Sequence, residues 1–213
     1  KKYKFSNQIV IRPSLNAVLA NFLKKMNFQV PVKSHKLINI LVYGRPGHHR
    51  NCFPEILSIL SSYNKKYYHD QAFGVNLYSV GMLHEDVEFS NGLILKSLGT
   101  LSLQNYAAIL MQSHVGISFM ASPHPSYPPL EMACFGLEVL TNQYIGKDLS
   151  KVHPNIHSVA MHLPDESSKI LSNVIDIAHK NSGIERKVVI PRSLSIDDWS
   201  VNFNCANLPR VNV

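Results

Sequence analysis

The apolar run Leu37–Tyr43 stops at a loop rich in glycine, proline and basic residues, Gly44–Asn51. A strand apolar on both faces must be covered on both, which is the situation inside a parallel sheet. Helices must then pack on each face, and the chain supplies them in alternation with further strands. A helical pattern follows the loop over Pro54–Tyr63, and Gln71–Val80 and Leu93–Leu98 read as strands. Ser102 is placed to cap a helix carrying Leu103, Tyr106, Ala107, Leu110 and Met111 at helical spacing. Val115–Met120 is a second buried strand, and the proline-rich loop Ser122–Pro129 leads into a short helix ending at Gly136. Val139–Thr141 and Ser158–Leu163 read as the last strands, and Pro164-Asp165 opens a helix with Ile170, Leu171, Val174, Ile175 and Ala178 on one face. The expected fold is α/β, a doubly wound, Rossmann-like parallel sheet over residues 37–182. Such sheets bind ligands at the carboxyl ends of their strands. The loops of interest are therefore Gly44–Asn51, Gly99–Leu101 and Ser122–Pro129.

The flanks read differently. Gln8–Ile11 is a short strand candidate, and Ser14 a cap for a helix carrying Leu15, Val18, Leu19, Phe22 and Leu23. Asn27–Lys36 is polar, holds Pro31 and reads as a linker. Residues 1–36 are too few to fold alone and are expected to be the remnant of a preceding domain with its linker. Residues 183–213 form a C-terminal tail that contains the single tryptophan, Trp199.

Composition narrows the partners. There are 21 Lys+Arg against 14 Asp+Glu, for a net charge of +7, yet only 16% of residues are charged and 45% are hydrophobic. That excludes a disordered polyelectrolyte and favours anionic ligands. No arginine-rich run or basic–aromatic interleaving points to nucleic acid. No apolar run approaches the roughly 18 residues of a membrane span, and Lys1-Lys2-Tyr3-Lys4-Phe5 is not followed by the apolar stretch of a signal peptide. Cys52, Cys134 and Cys205 form an odd set without metal-ligand spacing, which reads as free thiols in a cytoplasmic, reducing setting.

Three constellations carry chemistry. Arg45 and Arg50 leave the sheet edge in one loop. Guanidinium groups are fixed-charge, forked donors that suit phosphate oxygens, although a solvated basic turn has the same composition. The helix starting near Phe53 turns its positive end the same way. His48 and His49 read as exposed loop residues, with no nearby carboxylate or cysteine to complete a metal site. In Ser122–Glu131, Pro128 and Pro129 suit a helix first turn, which leaves His124, Ser126 and Tyr127 to offer backbone N–H groups to an anion. Glu131, read as a first-turn residue, can accept from sugar hydroxyls or simply complement the helix dipole. In Leu98–Ser102, Gly99 allows a tight turn and Leu101 can cover a flat base, or the segment is only a capped strand-to-helix turn. Nucleophile-elbow, Walker and dinucleotide glycine motifs are absent. His114, His153, His157, His162 and His179 are scattered and read as structural or solvent-facing.

In order, these pieces are strand, Gly-Arg-(x4)-Arg, helix, Gly-Thr-Leu-Ser…Tyr, strand, proline-rich loop, and Leu130-Glu131-Met132-Ala133-Cys134-Phe135-Gly136. The series resembles the C-terminal, donor-binding domain of a GT-B glycosyltransferase of the large retaining group known as family four. Arg45 falls at that family's loop arginine and Arg50 at its lysine. Glu131 falls at the second glutamate of its Glu-x7-Glu motif, whereas Pro123 stands where the first would be. The stretch from Ser122 to Ala133, together with Val42-Tyr43-Gly44-Arg45-Pro46, is similar instead to a narrower set. That set is the WsaF-like bacterial rhamnosyltransferases of S-layer and surface-polysaccharide assembly, which use dTDP-L-rhamnose. The likeness covers about Leu37 to Asp148.

The resemblance implies a metal-independent, retaining transferase with no cofactor, whose substrate is dTDP-L-rhamnose or another nucleotide sugar. Arg45 and Arg50 would be the catalytic pair, neutralising charge on the departing diphosphate. The N–H groups of Ser126 and Tyr127 would add dipoles at the same oxygens, and Glu131 would orient the ribose. Leu101, with Thr100 beside it, would lie near the thymine, and His124 would contact the donor sugar or a phosphate. The acceptor would be a glycan or a lipid-linked glycan, with membrane contact at the inner face in the latter case. The acceptor-binding N-terminal GT-B domain would precede Lys1, so this chain alone would bind nucleotide weakly and transfer little sugar. Two alternatives stay open: a non-catalytic module that keeps the anion site, and a GT-B nucleotide-sugar epimerase, which the proline-rich stretch disfavours.

Overall fold

The structure is a computed structural model and describes residues 15–124 and 126–190. Its first elements are α1 (Ala17–Lys25), β1 (Gln29–Val30), β2 (Leu37–Gly44), α2 (Phe53–Lys66), β3 (Gly74–Gly81), β4 (Val87–Glu88) and β5 (Ile94–Ser97). Then come α3 (Leu103–Gln112), β6 (Val115–Ile117), α4 (Tyr127–Cys134), β7 (Glu138–Asn142), β8 (Ile156–Val159), α5 (Pro164–Ser182) and β9 (Arg186–Lys187). Gln8–Ile11, Ser14, Trp199 and Cys205 lie outside the described residues.

The apolar run forms β2, the middle strand of a seven-stranded sheet ordered β4-β5-β3-β2-β6-β7-β8. Every pairing is parallel except that of the edge strand β4 with β5. From β2 the chain builds outward through β3 and β5, then crosses back to β6 and continues to β7 and β8. The order therefore reverses between β2 and β6, and a crevice opens beyond their carboxyl ends. This is the doubly wound, Rossmann-like sheet expected from the sequence.

Side-chain alternation along β2 feeds two cores. Ile38, Ile40 and Val42 pack with Ile56, Ile59 and Leu60 of α2 and with Leu171, Val174 and Ile175 of α5. Leu41 faces the other layer, with Leu19 and Leu23 of α1, Ala107 and Leu110 of α3, and Leu130 and Ala133 of α4. Each fully buried Leu or Ile stabilises the fold by about 1.5–3 kcal/mol. Between the two helices of the first layer, Ser62 Oγ donates to Asp165 Oδ1 at 2.7 Å and Lys66 pairs with the same carboxylate at 2.8 Å.

Several boundaries differ from the sequence reading. Asn16, not Ser14, caps α1, its Oδ1 accepting from Val18 N–H at 2.9 Å. The segment read as a linker contains β1, which pairs antiparallel with β9 and ties the chain before β2 to the chain after α5. β6 ends at Ile117 rather than Met120, because the main chain of Met120 bonds to the Asn142 side chain instead of the ladder. β8 is Ile156–Val159, so the strand read over Ser158–Leu163 starts earlier and stops before the turn that leads into α5. Among the described residues, no helix is long and apolar enough to cross a membrane.

Candidate functional site

A cavity of about 560 Å³ occupies the crevice at the carboxyl ends of β2 and β6. The chain makes a close approach at the end of β2, just before the arginine loop. A β-carbon on Gly44 would stand 2.7 Å from the Phe53 ring, so only glycine lets α2 pack this tightly. The chain then turns, with His48 N–H donating to Arg45 O at 2.9 Å and Asn51 N–H to His48 O at 2.8 Å. Arg45 and Arg50 both line the cavity. Arg45 Nη2 donates to His48 Nε2 at 2.7 Å, and because a guanidinium has no acceptor, the imidazole accepts here. His48 is exposed, as the sequence reading had it, but it also braces the arginine.

The opposite wall is the segment between β6 and α4. It is tied to the arginine loop, Ala121 N–H donating to Arg50 O at 2.7 Å. Met120 is gripped from behind by Asn142, at 2.7 Å through its N–H and 3.2 Å through its carbonyl. Lys147 Nζ donates to the same carbonyl at 2.7 Å, and burial holds this ammonium below the usual lysine range. Ser126 is the N-cap of α4, yet its side chain makes no capping bond. Pro128 and Pro129 occupy the first turn and supply no N–H, so the helix end presents the N–H groups of Ser126 and Tyr127. The His124 N–H, read as a third donor, bonds locally to Ser122 Oγ at 3.2 Å.

The third wall comes from the turn into α3. Gly99 has φ +67°, the left-handed conformation that the tight turn requires. Thr100 Oγ1 donates to Gly81 O at 3.2 Å, and Ser102 Oγ caps α3 by accepting from Asn105 N–H at 3.2 Å. Thr100 and Leu101 face the cavity together with Tyr106 from within α3.

Glu131 sits deeper than expected. α4 begins at Tyr127, which puts Glu131 in the second turn and leaves the first turn without an acidic residue. Simple dipole complementation at the helix start therefore does not describe it. Burial pushes its carboxyl up to about 7, partly opposed by the neighbouring Tyr106 phenol. The Tyr106 hydroxyl is in turn pushed well up by burial and by the Glu131 charge.

All the residues singled out from the sequence meet at this one cavity: Arg45 and Arg50, Thr100 and Leu101, and His124, Ser126, Tyr127 and Glu131. Sequence reasoning missed Asn51 and Tyr106 as lining residues. Tyr106 was counted among the helix's apolar face, and nothing in the pattern distinguishes a core tyrosine from one whose hydroxyl reaches a cavity. Among the described residues no cluster of three or more His, Cys, Asp or Glu side chains is arranged to hold a metal ion.

Comparison with known proteins adds family membership. Residues 38–171 match the family described as "WsaF, C-terminal domain". The chain belongs to this family. It is the WsaF-type set that the proline-rich stretch and the arginine loop resemble. The chain is also 30% identical over 105 residues to the O-antigen biosynthesis protein RfbC of Myxococcus xanthus, an overlap of 49% of this chain and 8% of that protein. Among solved structures it is similar to WaaG, a glycosyltransferase involved in lipopolysaccharide biosynthesis, with a TM-score of 0.45 and 11% identity over 80% of this chain and 50% of that one. The WsaF-type domain thus spans only a small part of the curated relative it matches.

Proposed function

We propose that this WsaF-type domain binds the nucleotide diphosphate of a sugar donor and forms the donor half of a glycosyltransferase that builds surface polysaccharide. The supporting observation is the convergence of two arginines, two helix-end N–H groups and a buried carboxyl on one cavity at the reversal of strand order. The donor is dTDP-L-rhamnose, by likeness of the proline-rich stretch, and the transfer is retaining. Arg45 and Arg50 hold the diphosphate and neutralise the charge that grows on it as the glycosidic bond breaks, without a metal ion. The N–H groups of Ser126 and Tyr127 supply fixed dipoles to the same oxygens. Glu131 accepts from the nucleotide's sugar hydroxyl, Thr100 and Leu101 bound the base, and His124 at the rim meets the donor sugar or a phosphate.

The acceptor, a glycan or lipid-linked glycan, is held by a separate GT-B domain preceding this one, and the reaction is placed in the cytoplasm. A second reading, a binding module without turnover, draws on Pro123 standing where the wider family has its first glutamate. The test is a calorimetric titration with dTDP, UDP and GDP. The expected result is preference for dTDP, weakened by Arg45→Ala and by Glu131→Ala. A longer protein that contains this domain and transfers rhamnose from dTDP-L-rhamnose in the presence of chelator would exclude the second reading.

A further inference from the structure

Six buried side-chain polar atoms lack a hydrogen-bond partner among the described residues, and three of them belong to residues lining the cavity: Asn51 Oδ1, Tyr106 Oη and Ser126 Oγ. A buried polar group without a partner destabilises the empty protein, so a cluster of them at one cavity marks groups that a ligand completes. Two of the three are hydroxyls, which can donate to phosphate oxygens or to Glu131. Asn51 differs in kind. Its amide oxygen can only accept, and an ionised diphosphate has no proton to give.

Asn51 is only 2% exposed. Its main chain is pinned by the bond to His48 O at 2.8 Å, and the next residue, Cys52, has φ +51° and is the N-cap of α2. The Asn51 Oδ1 makes no hydrogen bond to the described residues. It stands directly after Arg50 on the loop from β2, whereas the proposed base and ribose contacts, Leu101 and Glu131, come from the loop before α3 and from α4. An acceptor beside the diphosphate arginines and away from the nucleoside is placed for the group on the far side of the diphosphate.

We infer that the Asn51 amide accepts a hydroxyl of the transferred sugar and makes the site selective for the nucleotide sugar over the bare nucleotide. The inference rests on the donor-site reading above and adds a residue for the sugar itself. Asn51→Leu removes the unpaired amide at similar volume, and Asn51→Ala serves if leucine does not fit.

The experiment is titration of the full chain with dTDP and with dTDP-L-rhamnose, plus a melting curve of each empty protein. Wild type is expected to bind the nucleotide sugar about fivefold more tightly than dTDP, the value of one hydrogen bond. The variant is expected to bind dTDP as wild type does, to lose the gain from the sugar, and to melt no lower. Equal weakening of both ligands, a lower melting temperature, or no change in either ligand overturns the role of Asn51. So does a wild type that gains nothing from the sugar, which still leaves the donor site standing. Failure of folded wild type to bind any nucleotide overturns both readings.

Discussion

The two edges of the sheet each hold an opening of similar size and a buried titratable group, yet they are built oppositely. At the amino edge a groove of about 520 Å³ borders Leu37, Met111 and His114. There the His114 ring is fully used: Nδ1 accepts from Asn39 N–H at 3.1 Å and Nε2 bonds Ser34 O at 2.9 Å. Burial pushes its pKa down to about 4, so it stays neutral. At the carboxyl edge Glu131 is pushed up to about 7 by burial, partly opposed by the Tyr106 phenol beside it. Among the described residues, none of the unpartnered buried polar atoms belongs to the amino-edge groove, whereas three belong to the carboxyl-edge cavity. Volume does not separate the two openings. Satisfaction of polar groups does: one edge is finished as structure, and the other is left to be completed by a ligand.

The sharpest way to break this contrast is to remove the charge from one edge only. Arg45→Ala and Arg50→Ala should each weaken dTDP by up to about 100-fold, the loss of a charge-assisted contact, while leaving the melting temperature unchanged. Equilibrium dialysis with labelled dTDP reads the first, and calorimetry the second.

Glu131→Gln should act in opposite directions on stability and binding. A carboxyl raised from 4.5 to about 7 destabilises the folded state as it ionises. That penalty is absent below pH 4.5, grows toward pH 7 and is complete above it. The glutamine variant should therefore be more stable than wild type by about 1–3 kcal/mol at pH 8 and no more stable at pH 4, by urea denaturation at both values. Its affinity for dTDP should fall.

At the finished edge the sign reverses. His114→Ala leaves Asn39 N–H and Ser34 O without their partner and should cost about 1–2 kcal/mol at pH 8, with dTDP affinity unchanged. For wild type, a histidine lowered from 6.5 to about 4 contributes stability that is whole above pH 6.5 and is lost as pH falls toward 4. The alanine variant should lack that slope in a series of denaturation curves. The smallest effect belongs to Ser102→Ala, which removes the α3 cap beside the cavity and should cost about 0.5–1 kcal/mol, read as a shift in the urea midpoint.

The sheet was legible because its central strand is apolar on both faces and each following helix repeats its apolar residues at helical spacing. β1 and β9 were not, since two-residue strands paired across most of the chain leave no local pattern. The end of β6 was misread because Phe119 and Met120 are apolar, and only the Asn142 side chain explains why they leave the ladder. At the site, loop positions taken together with the family resemblance singled out eight residues that line one cavity. Depth was not legible. Starting α4 at Tyr127 moved Glu131 one turn inward, and the burial of Asn51 and Tyr106 depends on neighbours distant in sequence.

The most direct test is a crystal structure of the domain grown with dTDP. The diphosphate is expected between the Arg45 and Arg50 guanidiniums and the N–H groups of Ser126 and Tyr127, with the deoxyribose hydroxyl on Glu131. A nucleotide found in the amino-edge groove beside His114, or bound with the carboxyl-edge cavity still empty, would contradict the donor-site reading.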